Sequence, residues 1–317
     1  MNTNFLDFVG QYNGAPVALA VSGGVDSIVM LHWYAMMGLP AIVLHVNHGL
    51  RTEADAEAEY VSAVAKKLNI PCYILEWKGD KPLAGLEAAA RIARYNLMTE
   101  FCRENNIGIL FTAHQADDNI ETFLMNLARG SGVYGLGGIR AESVRDGITI
   151  ARPLLNVFRR ELKDWADTNN VKYTNDAMNY DDNFTRVKMR QNRKVLSECL
   201  GISDERILLA VANLARARDA LEQIVIDKIP SEKDGRIIFS ADMFFAMVDE
   251  LQLKFLASAL QKVGGAEYSP RLCEIQRLRN GLKNDKVLTL AGCTIRRFGS
   301  KILITKTGNS ISFRDKK

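Results

Sequence analysis

The sequence predicts an α/β fold: a doubly wound, mainly parallel sheet, followed by a smaller, mainly helical C-terminal module that ends in short strands. Three observations carry this. Over residues 16–169, short apolar runs alternate with longer helical patterns, and such alternation builds a parallel sheet covered on both faces. Polar or glycine-rich stretches follow several of those runs directly, at what would be the carboxyl edge of the sheet, where ligands bind. Beyond residue 203 the pattern turns to helices and then to short strand-like runs.

Taken in order, residues 16–21 are long enough for one buried strand and too short for a helix core. Ser22, Gly23 and Gly24 break that run, and residues 25–36 then show helical spacing, with Val25, Ile28, Val29 and Leu31 apolar. Residues 41–46 form a second strand, ending in the polar run Asn47-His-Gly-Leu-Arg51. Thr52 and Asp55 start the next helix in the manner of a capping box, and it runs to about Lys67. A third strand at 72–75, an alanine-rich helix at 85–105, a fourth strand at 108–114 and a helix at 117–128 follow. Residues 130–138 contain five glycines and form a loop able to approach a ligand closely. A fifth strand over 148–155 is ended near Pro153, and 156–169 is an amphipathic helix. Helices at 208–226, 241–263 and 269–282, with polar residues 231–235 between the first two, lead to strands near 287–290, 294–297 and 302–305.

A chain of 317 residues favours two domains, here placed at 1–200 and 201–317. With 47% apolar and 25% charged residues it is globular, and it has no apolar run of membrane-spanning length. The first residues lack the basic-then-apolar order of a secretory signal, and the five cysteines are scattered without a Cys-x-x-Cys, so a reduced, cytoplasmic protein is expected. The net charge of +4 is uneven: residues 1–180 carry 16 basic and 20 acidic side chains, residues 181–317 carry 25 and 17. A basic second half suits a polyanionic partner as well as a merely solvated surface.

The candidate chemistry begins at Ser22-Gly-Gly-Val-Asp-Ser27. A strand, a glycine turn and a helix start aim backbone N–H groups at one spot and favour an anion. A Walker loop would add a lysine; here an acid, Asp26, stands instead, which beside phosphates makes sense as a Mg²⁺ ligand. The hexapeptide resembles the pyrophosphate loop of enzymes that transfer AMP and release pyrophosphate. Asp118 and Glu121 share a helix face at the first turn, a site for a metal or a substrate ammonium group as well as for simple dipole compensation. His45, His48 and His114 are three of only four histidines, and all stand at strand ends. Arg186, Lys188, Arg190, Arg193 and Lys194 form a basic segment able to grip phosphates or to solvate a linker.

Four stretches together resemble the tRNA(Ile)-lysidine synthetase family of the pyrophosphate-loop ATPase superfamily, whose sheet is Rossmann-like: residues 22–27, 45–51, 85–95 and 112–138. Arg152-Pro-Leu-Leu155 and residues 179–190 add to it. The resemblance implies ligation of L-lysine to C2 of the wobble cytidine, position 34, in a CAU-anticodon tRNA(Ile), through an ATP-adenylated cytidine, with AMP and pyrophosphate released. By the same resemblance Ser22, Gly23, Gly24, Val25, Asp26 and Ser27 hold ATP, with His45 and Arg51 at the nucleotide. Asp26 binds Mg²⁺, Asp118 and Glu121 are catalytic with Asp26, and Arg91, Arg94 and His114 contact ATP or RNA. The basic run from Arg186 to Lys194 and the C-terminal module hold the tRNA. Where family members often carry Arg-Asn, this chain has Arg186-Val187. The rival readings are a tRNA thiolation enzyme of the same superfamily, which needs sulfur-carrying cysteines, and a non-catalytic tRNA-binding protein.

Overall fold

The structure is a computed structural model that describes residues 1–12, 14–50, 54–79, 81–82, 85–174, 193, 195, 198–265, 269–283 and 287–308, with Glu87 described in its backbone only. It divides into two compact units, Met1–Arg129 with Gly138–Val211, and Gly130–Gly137 with Ala212–Lys317.

The first unit is built on β1 (Val17–Ala20), β2 (Ala41–Asn47), β3 (Cys72–Glu76), β4 (Ile109–Thr112), β5 (Glu142–Arg145) and β6 (Ile148–Ala151). They form one sheet in the order β3-β2-β1-β4-β6-β5. All pairings are parallel except that of β5 with β6. Around the sheet stand α1 (Thr3–Gly10), α2 (Val25–Met36), α3 (Ala54–Lys67), α4 (Leu86–Glu104), α5 (Ala116–Ala128) and α7 (Arg159–Thr168); the short α6 (Val133–Leu136) falls in the second unit. Alternate residues of β1, β2, β4 and β6 feed two different cores, as the pleat requires. Val17, Leu19, Val43 and Phe111 join Phe5 of α1, Ile28 of α2 and Leu162 of α7. Ala18, Leu44, Leu110 and Ile150 join Tyr95, Met98 and Cys102 of α4. The sheet is thus doubly wound, as the sequence predicts. The chain passes from β1 to β2 on one side and returns to β4 on the other, so the switch point that receives ligands in such sheets lies between β1 and β4.

Two elements of this unit go beyond the sequence prediction. α1 packs through Phe5 and Val9, one turn apart, and Asn2 caps it by accepting the Asn4 N–H. The edge strand β5 alternates exposed and half-buried residues and has no apolar run to announce it. Its hairpin turn did carry a signal, since Asp146 and Gly147 both take positive φ, 51° and 81°, as an Asp-Gly turn allows.

α8 (Asp204–Ile226) gives its residues up to Val211 to the first unit and the rest to the second. The second unit contains β7 (Arg236–Ser240), α9 (Ala241–Ala246), α10 (Asp249–Gly264), α11 (Leu272–Leu282), β8 (Leu288–Leu290), β9 (Cys293–Phe298) and β10 (Lys301–Lys306). The strands form an antiparallel sheet in the order β7-β10-β9-β8. Phe239, Phe244 and Phe255 meet at centroid distances of 4.7–5.8 Å in its core. The helix expected over 241–263 is two helices. Met247 and Val248 are extended, and the Gln252 side-chain amide donates to the Met247 carbonyl at 2.6 Å, so the break is satisfied internally. β7, absent from the sequence prediction, buries Ile237 and Phe239 on alternate positions just before the Ser240 helix cap. No helix among the described residues is long and apolar enough to cross a membrane.

Candidate active site

The loop after β1 is folded by its own side chains. Gly23 has φ +99°, and a Cβ there would lie 2.8 Å from the Thr174 hydroxyl, so only glycine fits. The Thr174 N–H donates to the Gly23 carbonyl at 2.9 Å, which fastens a distant segment to the loop. Gly24 is the extended N-cap of α2. Ser27 is buried; its Oγ donates to the Gly24 carbonyl at 3.0 Å and accepts the Ser22 N–H at 3.1 Å. Of the two candidate hydroxyls, Ser27 is therefore committed to the loop, while Ser22 is exposed, with its Oγ 3.2 Å from that of Ser27. Val25 is buried and has only its backbone to offer a phosphate.

His45 is 4% exposed, and its Nδ1 lies 2.9 Å from the Val21 carbonyl. A carbonyl only accepts, so Nδ1 carries the hydrogen. Burial pushes this imidazole below the ordinary histidine range, against the pull of Val21 and Glu57. The ring is a strut beneath the loop that ties β2 to the end of β1. His114 sits after β4, with its Nδ1 3.0 Å from the Thr112 hydroxyl.

Asp26, in the first turn of α2, lies with Oδ1 3.7 Å from Nε of Arg159. Asp118 accepts the Gln115 N–H at 3.1 Å, while Gln115 accepts the Asp117 N–H at 2.6 Å, a reciprocal cap at the start of α5. Glu121, one turn on, is fully buried. Asp117 accepts the Arg159 N–H at 2.9 Å and pairs with Arg193 at 2.8 Å. Arg193 also pairs with Asp204, and its side chain is only 13% exposed. This departs from the expectation of an RNA-facing Arg193, since two carboxylates hold its charge inside the first unit. Arg51, Arg186, Lys188, Arg190 and Lys194 lie outside the described residues, as does the expected Thr52 cap.

Arg91 and Arg94 stand 5.2 and 5.5 Å from the Tyr95 ring centroid, and Arg145 stands 5.1 Å from it. Beneath them Arg152 is buried, donating to the Arg140 carbonyl at 2.8 Å and to the Ser143 hydroxyl at 3.2 Å. Burial lowers this guanidinium, against the pull of the Tyr95 hydroxyl. Arg159, Thr174, Asp117 and Tyr95 are the residues that sequence reasoning did not single out. Each of them meets its partner across a long sequence separation, as Arg159 meets Asp26 and Thr174 meets Gly23, so no local motif marks them.

Among the described residues no group of three or more His, Cys, Asp or Glu side chains is placed to hold a metal ion. A Mg²⁺ bound through one carboxylate and substrate phosphate oxygens does not need such a cage. Asp26, in the first turn of α2 and already facing a cation, fits that mode of binding.

A tRNA(Ile)-lysidine synthase of Wolbachia pipientis wMel is 37% identical to this chain, over 97% of it and 74% of the relative. The chain belongs to the tRNA(Ile)-lysidine synthase family. Another member, from Rhodopseudomonas palustris, is 34% identical over 93% of this chain and 91% of its own length. Residues 1–197 match the family described as a PP-loop domain. Among solved structures, a U34-tRNA thiolase from Methanococcus maripaludis, determined with its [4Fe-4S] cluster, superposes with a TM-score of 0.57. The match covers 73% of this chain and 79% of the thiolase at 18% identity, a likeness of fold. The resemblance read from the Ser22–Ser27 loop and its companion motifs is thereby upheld.

Proposed function

We propose that this lysidine synthase family member joins L-lysine to C2 of the wobble cytidine, position 34, of a CAU-anticodon tRNA(Ile). The cytidine O2 attacks the α-phosphorus of ATP and pyrophosphate leaves. The lysine ε-amine then adds at C2, the C2–O bond breaks, AMP departs and the amine gives up a proton. The product reads AUA instead of AUG and accepts isoleucine instead of methionine.

The observation that carries this reading is the PP-loop itself, an acid-bearing, lysine-free phosphate loop at the switch point of a parallel sheet in a chain of this family. Backbone N–H groups of Gly23, Gly24 and Val25 and the Ser22 hydroxyl would hold phosphate oxygens, while Ser27 and His45 keep the loop in shape. Asp26 would hold Mg²⁺, whose charge offsets that developing on the phosphates. Asp118 and Glu121 supply carboxylates for lysine's ammonium group and for its proton. Arg91 and Arg94, with His114 and Arg51, serve the nucleotide or the RNA. Residues 1–200 act as the catalytic domain, and 201–317, with Arg186, Lys188, Arg190 and Lys194 before them, act as the tRNA-binding part. The lysine itself is the nucleophile, so no nucleophilic side chain is called for.

The test is incorporation of radiolabelled lysine. Protein, Mg²⁺-ATP and unmodified CAU-anticodon tRNA(Ile) are mixed, with a transcript carrying wobble uridine as control. Label entering the first RNA alone, with AMP and pyrophosphate released, is the expected result. AMP release with a different RNA and no label would overturn the lysine and target assignments. Two variants check the roles: Asp26→Ala should remove turnover and keep the fold, and Glu121→Gln should slow modification at saturating ATP.

A further inference from the structure

The PP-loop brings donors to phosphate but no cation, and one reaches it from another helix. Arg159 is the first residue of α7. Its backbone N–H is held by the Asp117 carboxylate at 2.9 Å, and its guanidinium Nε lies 3.7 Å from Asp26 Oδ1. α7 is seated against α2, where Trp165 meets Trp33 edge-on at a centroid distance of 5.9 Å. Backbone, helix and guanidinium are therefore each positioned, and the guanidinium lies beside the acid in the first turn of α2.

We infer that Arg159 is a phosphate-binding residue for the β- and γ-phosphates of ATP and for the departing pyrophosphate, and that Asp26 holds it at the loop until phosphate arrives. This rests on the ATP site proposed above. An acid alone at a triphosphate site repels its ligand, and the charge that a lysine supplies inside a Walker loop must come from elsewhere. A guanidinium offers several donors in one plane, which match two phosphate oxygens at once. The rival account, a counter-ion that merely keeps Asp26 in place, predicts different binding behaviour.

Titration calorimetry with ATP, inorganic pyrophosphate and AMP as separate probes distinguishes the two. Arg159→Ala should weaken ATP and pyrophosphate by roughly tenfold or more, the scale of losing one charge-assisted contact, and leave AMP nearly unchanged. Arg159→Lys should fall between, since it keeps the charge and loses the fork. Without divalent metal, Asp26→Asn should tighten pyrophosphate binding, and adding Arg159→Ala should cancel that gain. Equal loss for ATP and AMP, or no loss for either, overturns the inference. If Arg159→Ala does not fold, Arg159→Lys decides: an unchanged preference for ATP over AMP overturns the inference. A wild-type chain that consumes ATP but shows no pyrophosphate affinity overturns the Arg159 role alone. One that neither binds nor consumes ATP overturns the nucleotide site as well.

Discussion

The Tyr95 cluster and the Asp117–Arg193–Asp204 chain both hold arginines that the sequence assigns to nucleotide or RNA, Arg91 and Arg94 in one and Arg193 in the other, and the fold sets different partners against their charge. At Tyr95, three guanidinium groups stand 5.1–5.5 Å from one ring. A ring face attracts a cation but carries no charge to cancel it, and of the three Arg145 is also met by a carboxylate, Asp146 at 3.7 Å. At Arg193, two carboxylates cancel the charge and the side chain is nearly enclosed. A count of basic residues therefore overstates the surface that a polyanion can use. What decides is the set of acids that the fold brings to each arginine.

The comparison breaks most readily at Arg193. Arg193→Ala leaves Asp117 and Asp204 facing each other's charge in a partly buried site, and should cost roughly 3–5 kcal/mol of stability. Urea titration would read that loss, while affinity for an anticodon stem-loop should hold. The reverse result would move Arg193 back among the RNA contacts. Arg91→Ala and Arg94→Ala should do the opposite, weakening RNA by about 1 kcal/mol each and lowering the salt slope by roughly one unit for each phosphate contact removed. A salt slope that stays unchanged would make the Tyr95 cluster a structural feature.

His45 extends the same contrast to acid. Its folded-state pKa lies below the ordinary histidine value, chiefly through burial. The unfolded chain therefore binds more protons once pH falls below about 6.5, and stability present above that value is lost as pH drops toward the folded pKa. Thermal melts between pH 7.5 and 5 should show this decline in wild type and a shallower one in His45→Gln. The smallest effect concerns thiols. Cys199 and Cys273 are exposed, whereas burial pushes Cys72 and Cys102 up to about 11. Ellman's reagent at pH 8 should label the exposed pair first, and rapid labelling of Cys102 would show that the α4 core opens readily.

The loop Ser22–Ser27 was legible because a strand, two glycines and an acid follow one another in the chain, so every part of the signal is local. Asp118 and Glu121 were legible as a pair on one helix for the same reason. Their surroundings were not: a cap for Asp118 and full burial for Glu121 are set by Gln115 and by the packing of α5. Ser27 and Ser22 look alike as hydroxyls, and only the folded loop turns one inward. Arg159 was invisible because its partner, Asp26, is remote in sequence and the two meet only when α7 packs on α2. β5 was missed because a short edge strand with polar and mixed faces lacks the apolar run that marks a buried one, whereas β7 does carry such a run, Ile237-Ile-Phe239, too short to stand out between two helices.

The glycine-rich residues Gly130–Gly137 belong to the second unit although α5 before them and Gly138 after them belong to the first. Arg218 donates to the Gly137 carbonyl at 3.1 Å, and the Lys254 ammonium lies 4.4 Å from the Tyr134 ring centroid. Dissection by truncation is therefore asymmetric. A fragment stopped at Val211 keeps the stretch from Gly130 to Gly137 and loses the arginine and lysine that cover it, so it would present an uncovered tyrosine and an uncapped carbonyl to solvent. A fragment begun at Ala212 would lack the same stretch and hold a vacant seat beside Arg218. The first half of the chain carries a piece that belongs with the second, and the protein is best purified, labelled and crystallised whole.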